Sequence, residues 1–165
     1  METKMNMENQ FQKLVNKKFL FRLYLLQKLP MAFIAGIRVK QLDLNTGTTV
    51  IKYGWLTQNP FRSMYFACQS MAAEMSTGLL VLNHVYKSEP PVSMLIVKNS
   101  AEYHKKAVGT IIFHCKEGGL IREAINKTKE TGEGQIIELR STGTDEAGDI
   151  VAEFIFTWSL KVKSK

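Results

Sequence analysis

Met64-Tyr65-Phe66-Ala67-Cys68-Gln69-Ser70-Met71-Ala72-Ala73-Glu74-Met75-Ser76-Thr77-Gly78-Leu79-Leu80 carries one full charge, Glu74, in a run of small and apolar residues. Apolar side chains at Phe61, Met64, Cys68, Met71, Met75, Leu79 and Leu82 step by three and four, which predicts a helix with one continuous apolar stripe. The opposite face, Ser63, Ala67, Ser70, Glu74, Thr77 and Gly78, is small and only mildly polar, so another backbone could approach it closely. A helix apolar on most sides belongs inside a domain, and polar side chains interrupt this one too often for a membrane span. Asn59 before Pro60 suits a helix start, the Asn as N-cap and the Pro in the first turn, so the helix is expected over about 60–85. A carboxylate in that setting must be paired, protonated or used.

Upstream, residues 8–29 read as an amphipathic helix, with Phe11, Leu14, Val15, Phe19, Leu25 and Leu29 near one side and Pro30 ending it. Its polar face is basic, as in a membrane-surface helix, but ordinary core spacing favours a helix that covers a sheet edge or packs beside a pocket. Two strand-like runs, 33–44 and 48–55, are joined by the hairpin signal Asn45-Thr46-Gly47. Downstream, the alternating run 92–103 is expected to meet 107–115 across the basic turn His104-Lys105-Lys106. Gly118-Gly119 introduces a short helix over 120–129, and strands over 134–142 and 150–161 follow. The order predicts an α+β fold: a curved antiparallel sheet wrapped around a long central helix, with an extra N-terminal helix.

A chain of 165 residues with 45% hydrophobic and 22% charged residues is one ordinary globular domain with a real core. The net charge of +7 favours an anionic partner. Much of the excess sits at the ends, with Lys161, Lys163 and Lys165 at the finish, and no recognition motif accompanies it, so no nucleic-acid partner is expected. Cys68 and Cys115 lack CxxC spacing and read as buried thiols of a cytoplasmic protein. His84, His104 and His114 are dispersed, so no metal is expected. No phosphate loop appears either.

The order of elements from about residue 30 to 161, with the aromatic final strand Phe154-Ile155-Phe156-Thr157-Trp158-Ser159-Leu160, resembles the hot-dog fold of the thioesterase superfamily. More narrowly, it is similar to a thioesterase-like branch related to phenylacetyl-CoA-type acyl-CoA thioesterases. Those enzymes carry an Asn, a His-Gly-Gly turn opening the central helix, and an acid on that helix. Asn59 and Glu74 stand at the family's spacing, while Tyr65, Phe66 and Ala67 occupy the places of the His and two glycines. The resemblance implies residues 1–30 as an N-terminal helical extension and 31–165 as the hot-dog domain.

It implies further a homodimer, open to pairing into a tetramer, that hydrolyses an acyl-CoA thioester. Glu74 would be general base or nucleophile, Asn59 would orient the water or the carbonyl, and the Phe66 backbone N–H would polarise that carbonyl. Tyr65, Ala67, Ser70 and Ser93 would line the substrate site. Coenzyme A would enter as part of the substrate, with no other cofactor and no stable membrane insertion. A dehydratase of the same fold is disfavoured, because the loop Leu56-Thr57-Gln58-Asn59-Pro60-Phe61 has no His. The alternative is a non-catalytic acyl-CoA or fatty-acyl binding protein, with Met64, Met71, Met75 and Phe61 lining an adaptable tunnel and Arg62, Lys98, Lys105 or Lys106 meeting phosphates.

Overall fold

The computed structural model describes residues 10–163. Glu8, inside the expected first helix, and Lys165, in the basic C-terminal end, therefore lie outside the described residues. The elements run α1 (Gln10–Asn16), α2 (Lys18–Lys28), α3 (Pro30–Ile34), β1 (Arg38–Leu42), β2 (Gly47–Lys52), α4 (Phe66–Val85), β3 (Val92–Tyr103), β4 (Thr110–Cys115), α5 (Gly118–Thr131), β5 (Gln135–Thr144) and β6 (Ile150–Val162). All strand pairs are antiparallel, in the order β1-β2-β4-β5-β6-β3. The curved sheet packs on α4, and Leu80, Ile111, Phe113, Leu139, Phe154 and Phe156 are almost wholly buried between them. This is the α+β arrangement that the order of elements predicts.

Polar bonds fix α4 on the sheet. Thr49 Oγ1 donates to the Ala72 carbonyl at 2.6 Å, and the Ser76 and Ser141 hydroxyls share a bond of 2.7 Å. The backbone of Gly47 lies so close to the Ser76 carbonyl that no side chain fits there. At the far end of the helix, Asn83 Nδ2 donates to the Asp43 carbonyl at 3.0 Å and His84 Nε2 lies 2.8 Å from the Leu44 carbonyl. Both anchor the hairpin loop, in which the Asp43 carboxylate accepts the N–H groups of Asn45 and Thr46.

Three sequence expectations change. The expected hairpin between 92–103 and 107–115 does not form: β3 pairs along its length with β6, and β4 pairs with β2 and β5. Among the described strands β6, at thirteen residues, is the one long enough to pair with the whole of the twelve-residue β3, whereas β4 has six. The single N-terminal helix is broken at Lys17, and Pro30 both ends α2 and opens α3, where its missing N–H costs nothing.

Finally, α4 begins at Phe66, six residues after Pro60, and Asn59 is not its cap; the N-cap is Tyr65. Asn59 instead closes its own turn. Its Oδ1 accepts the N–H groups of Phe61 at 2.9 Å and Ser63 at 3.3 Å, and its Nδ2 donates to Ser63 Oγ at 3.1 Å. Thr57 and Tyr65 are joined by a 2.7 Å backbone bond across the base of this loop. Phe61, counted in the helical stripe, stands exposed at the loop tip.

Candidate active site

The loop and the start of α4 form one side of a cleft of about 610 Å³, with Asn59, Tyr65, Phe66 and Gln69 facing Tyr103, His104, Lys106 and Ala107 across it. Tyr65 and Phe66 stack edge to face at 4.8 Å and stay about half exposed. Among the described residues, the backbone N–H groups of Phe66 and Ala67 have no partner, as expected of a first helical turn. They and the helix field favour negative charge at the mouth of the cleft.

Gln69, which sequence reasoning did not single out, is 4% exposed. Its Nε2 donates to the Met64 carbonyl at 3.3 Å, while its Oε1 is buried without a partner. A buried acceptor left unmatched costs roughly 1–3 kcal/mol, so a donor from a bound molecule would be well received here. The available signal was the same as for Glu74: a polar side chain on an otherwise apolar helix.

Glu74 lies two turns further along, about 12 Å from Phe66 at ~1.5 Å per residue. Its carboxylate folds over Gly78, where an added Cβ would stand 2.6 Å from Oε1 and 3.4 Å from the Trp158 ring. Among the described residues no donor reaches the carboxylate, and burial pushes its pKa up from 4.5 to about 7. Trp158 Nε1 donates to Thr77 Oγ1 at 3.3 Å, and that hydroxyl donates to the Glu74 carbonyl at 2.9 Å, which fixes the indole beside the acid. Ala67, Ser70, Met71 and Glu74 form the least covered line along α4.

The expected site residues therefore fall into three places within one protomer. Asn59, Tyr65 and Phe66 share the cleft at the start of α4; Ala67, Ser70 and Glu74 follow along the helix. Ser93 sits on β3 beside Leu82 and Val85 at the other end of α4, its Oγ donating to the Lys161 carbonyl at 2.9 Å. Lys105, a candidate phosphate ligand, is held by Asp145 and Asp149 at 2.6 Å each. The fold also gathers Glu102, His104 and Glu153 within 4.8 Å of one another, a metal-competent trio invisible in the sequence spacing. There the Arg140 guanidinium bonds Glu153 at 3.2 Å and His104 Nε2 lies 3.3 Å from the same carboxylate, so an ion-pair cluster already accounts for the grouping.

The long central helix in its antiparallel wrap defines a hot-dog fold, the fold of several solved thioesterases. The chain belongs to the family described as a domain of unknown function (DUF4442), whose profile matches residues 17–160. A Pseudomonas aeruginosa protein named a probable thioesterase superposes with a TM-score of 0.76 at 22% identity, over 88% of this chain and 95% of that one. A thioesterase from Haemophilus influenzae gives 0.65 at 12% identity, covering 89% and 92%. The PaaI protein of the phenylacetic acid degradation operon of E. coli gives 0.64 at 10% identity, covering 92% and 98%. Among proteins of curated function none matches the chain. No helix among the described residues is long and apolar enough to cross a membrane.

Proposed function

We propose that this protein hydrolyses an acyl-CoA thioester at a site shared by two subunits of a homodimer, with Glu74 as general base or nucleophile. The observation that carries the reading is the Glu74 carboxylate, half-buried and desolvated beside Trp158 without a donor, on the same helix whose first N–H groups stand free at a cleft. One subunit cannot join the two, because about 12 Å of helix separates them. A second copy can. The edge strand β3 is twelve residues long and exposes Leu95 and Val97, an unpaired edge of the kind that seeks another strand. Antiparallel pairing of β3 with its copy lays the Ser93 end of one strand beside the Tyr103 end of the other. That would bring Ser93 to the cleft wall and turn the least covered line of α4, with the half-buried Ala67, Ser70 and Glu74, toward the cleft opposite.

In this arrangement the Phe66 N–H polarises the thioester carbonyl, an interaction worth roughly 10²–10³ in rate. Tyr65 walls the acyl group. Asn59, whose side chain is engaged within its turn, acts mainly by holding the loop that presents Phe66. Lys106 and Arg62 remain candidates for the coenzyme A phosphates. The two free cysteines fit a reducing, cytoplasmic setting.

The bulky, half-exposed Phe66, where the resemblance implies a glycine, favours one rival, a binding protein that holds an acyl chain without cleaving it. Purified wild type and Glu74→Gln on an acyl-CoA panel separate the two. Turnover lost by about 10²–10⁴ in the variant, with dimer and fold intact, supports hydrolysis. Tight binding with no turnover in either protein leaves the container.

A further inference from the structure

The sheet edge opposite β3 carries a second surface that hydrolysis does not use. Phe21 and Leu25 of α2 are buried, as a helix covering a sheet edge requires, yet the outward face of α2 is apolar too. Phe19, Leu23 and Leu26 follow one another at i, i+4 and i+7, and with Leu20, Leu29, Met31 and Ile34 they stand between 43% and 75% exposed. A contiguous apolar surface on this scale marks an interaction site. Its rim is basic. Seven Lys and Arg, and no Asp or Glu, occur between Glu8 and Asp43, and Lys17, Lys18 and Lys28 on or next to α2 are exposed.

A cleft of about 540 Å³ opens between α2 and β1, lined by Lys18, Phe19, Arg22, Arg38 and Lys40. The Arg22 guanidinium lies over the Phe33 ring at 4.0 Å, and its Nη1 is buried without a hydrogen-bond partner. Anchored on that ring, the guanidinium adds its charge to a cationic cleft, which favours a phosphate.

We propose that α2 and α3 dock the protein on an anionic phospholipid surface, with the Phe19–Leu23–Leu26 face in the acyl boundary and Lys17, Lys18, Arg22 and Lys28 at the phosphates. An eleven-residue helix spans about 16 Å, too short to cross a bilayer but suited to lying in its interface. Charge selects this occupant over a second copy of the chain: a two-fold contact would press two acid-free basic surfaces together. A nucleic acid would meet the cations but leave the leucines in water. The proposal is independent of whether Glu74 cleaves thioesters.

Cosedimentation of the full chain with phosphatidylcholine vesicles, with and without phosphatidylglycerol, tests it. Partitioning should be at least tenfold stronger on the anionic vesicles and should fall with salt. Phe19→Ser with Leu23→Ser should weaken it by roughly tenfold per residue. The combined change Lys17→Gln, Lys18→Gln and Lys28→Gln should erase the preference for phosphatidylglycerol, at about fivefold per cation. All these positions are exposed, so the melting temperature should hold. Equal or absent binding to the two vesicle types overturns the proposal. So does a smaller oligomer on Phe19→Ser with Leu23→Ser, which would assign the patch to self-association, or duplex DNA binding that survives those substitutions.

Discussion

Replacing Glu74 by Gln keeps the shape of the protonated carboxyl and removes its titration. The folded-state pKa is raised from 4.5 to about 7 by burial, so the native protein holds a proton that the unfolded chain releases. Unfolding therefore releases protons between those values, and stability falls as pH rises from about 4.5 to about 7. The loss, at 1.36 kcal/mol per pH unit, comes to about 3 kcal/mol above pH 7 and vanishes below 4.5. The variant escapes it. Wild type and Glu74→Gln should unfold alike near pH 4.5, and at pH 8 the variant should be more stable by about 3 kcal/mol. For a chain of this size that is roughly 6–12 °C in melting temperature.

The assay is denaturant or thermal unfolding of both proteins across pH 4.5–8.5 at one protein concentration, since a dimer's stability depends on it. Comparing variants cancels the other titrating groups, such as His84 and His114, whose pKa values burial lowers. A difference that does not change with pH, or a Gln variant less stable at pH 8, refutes the reasoning. Either result would mean that the carboxylate finds donors, across the subunit interface, that one chain does not supply. In the same pH range the proposed base becomes ionised, so kcat/KM of the wild type should climb tenfold per pH unit below about 7 and level off above it.

Gly78→Ala places a Cβ 2.6 Å from Glu74 Oε1, the mobile end of a side chain, so the carboxylate should swing aside. Unfolding should stay within about 1 kcal/mol of wild type, because Ala is the better helix former, while kcat drops; unchanged kcat would remove the carboxylate's position from the mechanism. Gly47→Ala drives a Cβ into the Ser76 carbonyl, which is backbone and cannot yield. Its stability should fall by at least about 3 kcal/mol in denaturant titration, and a milder loss would mean that β2 and α4 can separate. Cys115 is buried with its thiol pushed up to about 12, and burial raises Cys68 as well. Neither should react with a disulfide reagent at pH 8 until the protein unfolds; fast labelling of the native protein would contradict the burial.

The central helix was legible because a 3.6-residue apolar period survives any tertiary setting, and the β1–β2 hairpin because Asn45-Thr46-Gly47 imposes its geometry locally. The start of α4 was not. Asn before Pro serves a helix cap and a side-chain-closed turn equally well, and the backbone bond between Thr57 and Tyr65 decided for the turn. The partner of β3 was hidden because sequence adjacency favours the next strand, whereas pairing with β6 is non-local. Strand length held the missing clue, since only a strand as long as β6 could complete the ladder. Of the site, Glu74 was visible as an isolated charge. Gln69 carried a weaker form of the same signal and became conspicuous only once its carbonyl oxygen was found buried and unmatched.

The polar groups of α4 sort by how they are satisfied. Thr49 against Ala72, Ser76 against Ser141, Thr77 beneath Trp158 and Asn83 against Asp43 all have partners, and all bind the helix to the rest of the fold. Native proteins pair nearly every buried polar atom, and these four follow that rule. Gln69 Oε1 breaks it, and the half-buried Glu74 carboxylate, desolvated with no donor in reach among the described residues, comes close to doing so. Both lack a donor, and both sit where a ligand or a second subunit could bring one. A helix anchored at Ser76, Thr77, Asn83 and His84 can hold two unsatisfied acceptors without unfolding, and a rigid frame of that kind keeps reactive groups in place. The cost in stability falls on the residues to which the proposed chemistry assigns the work.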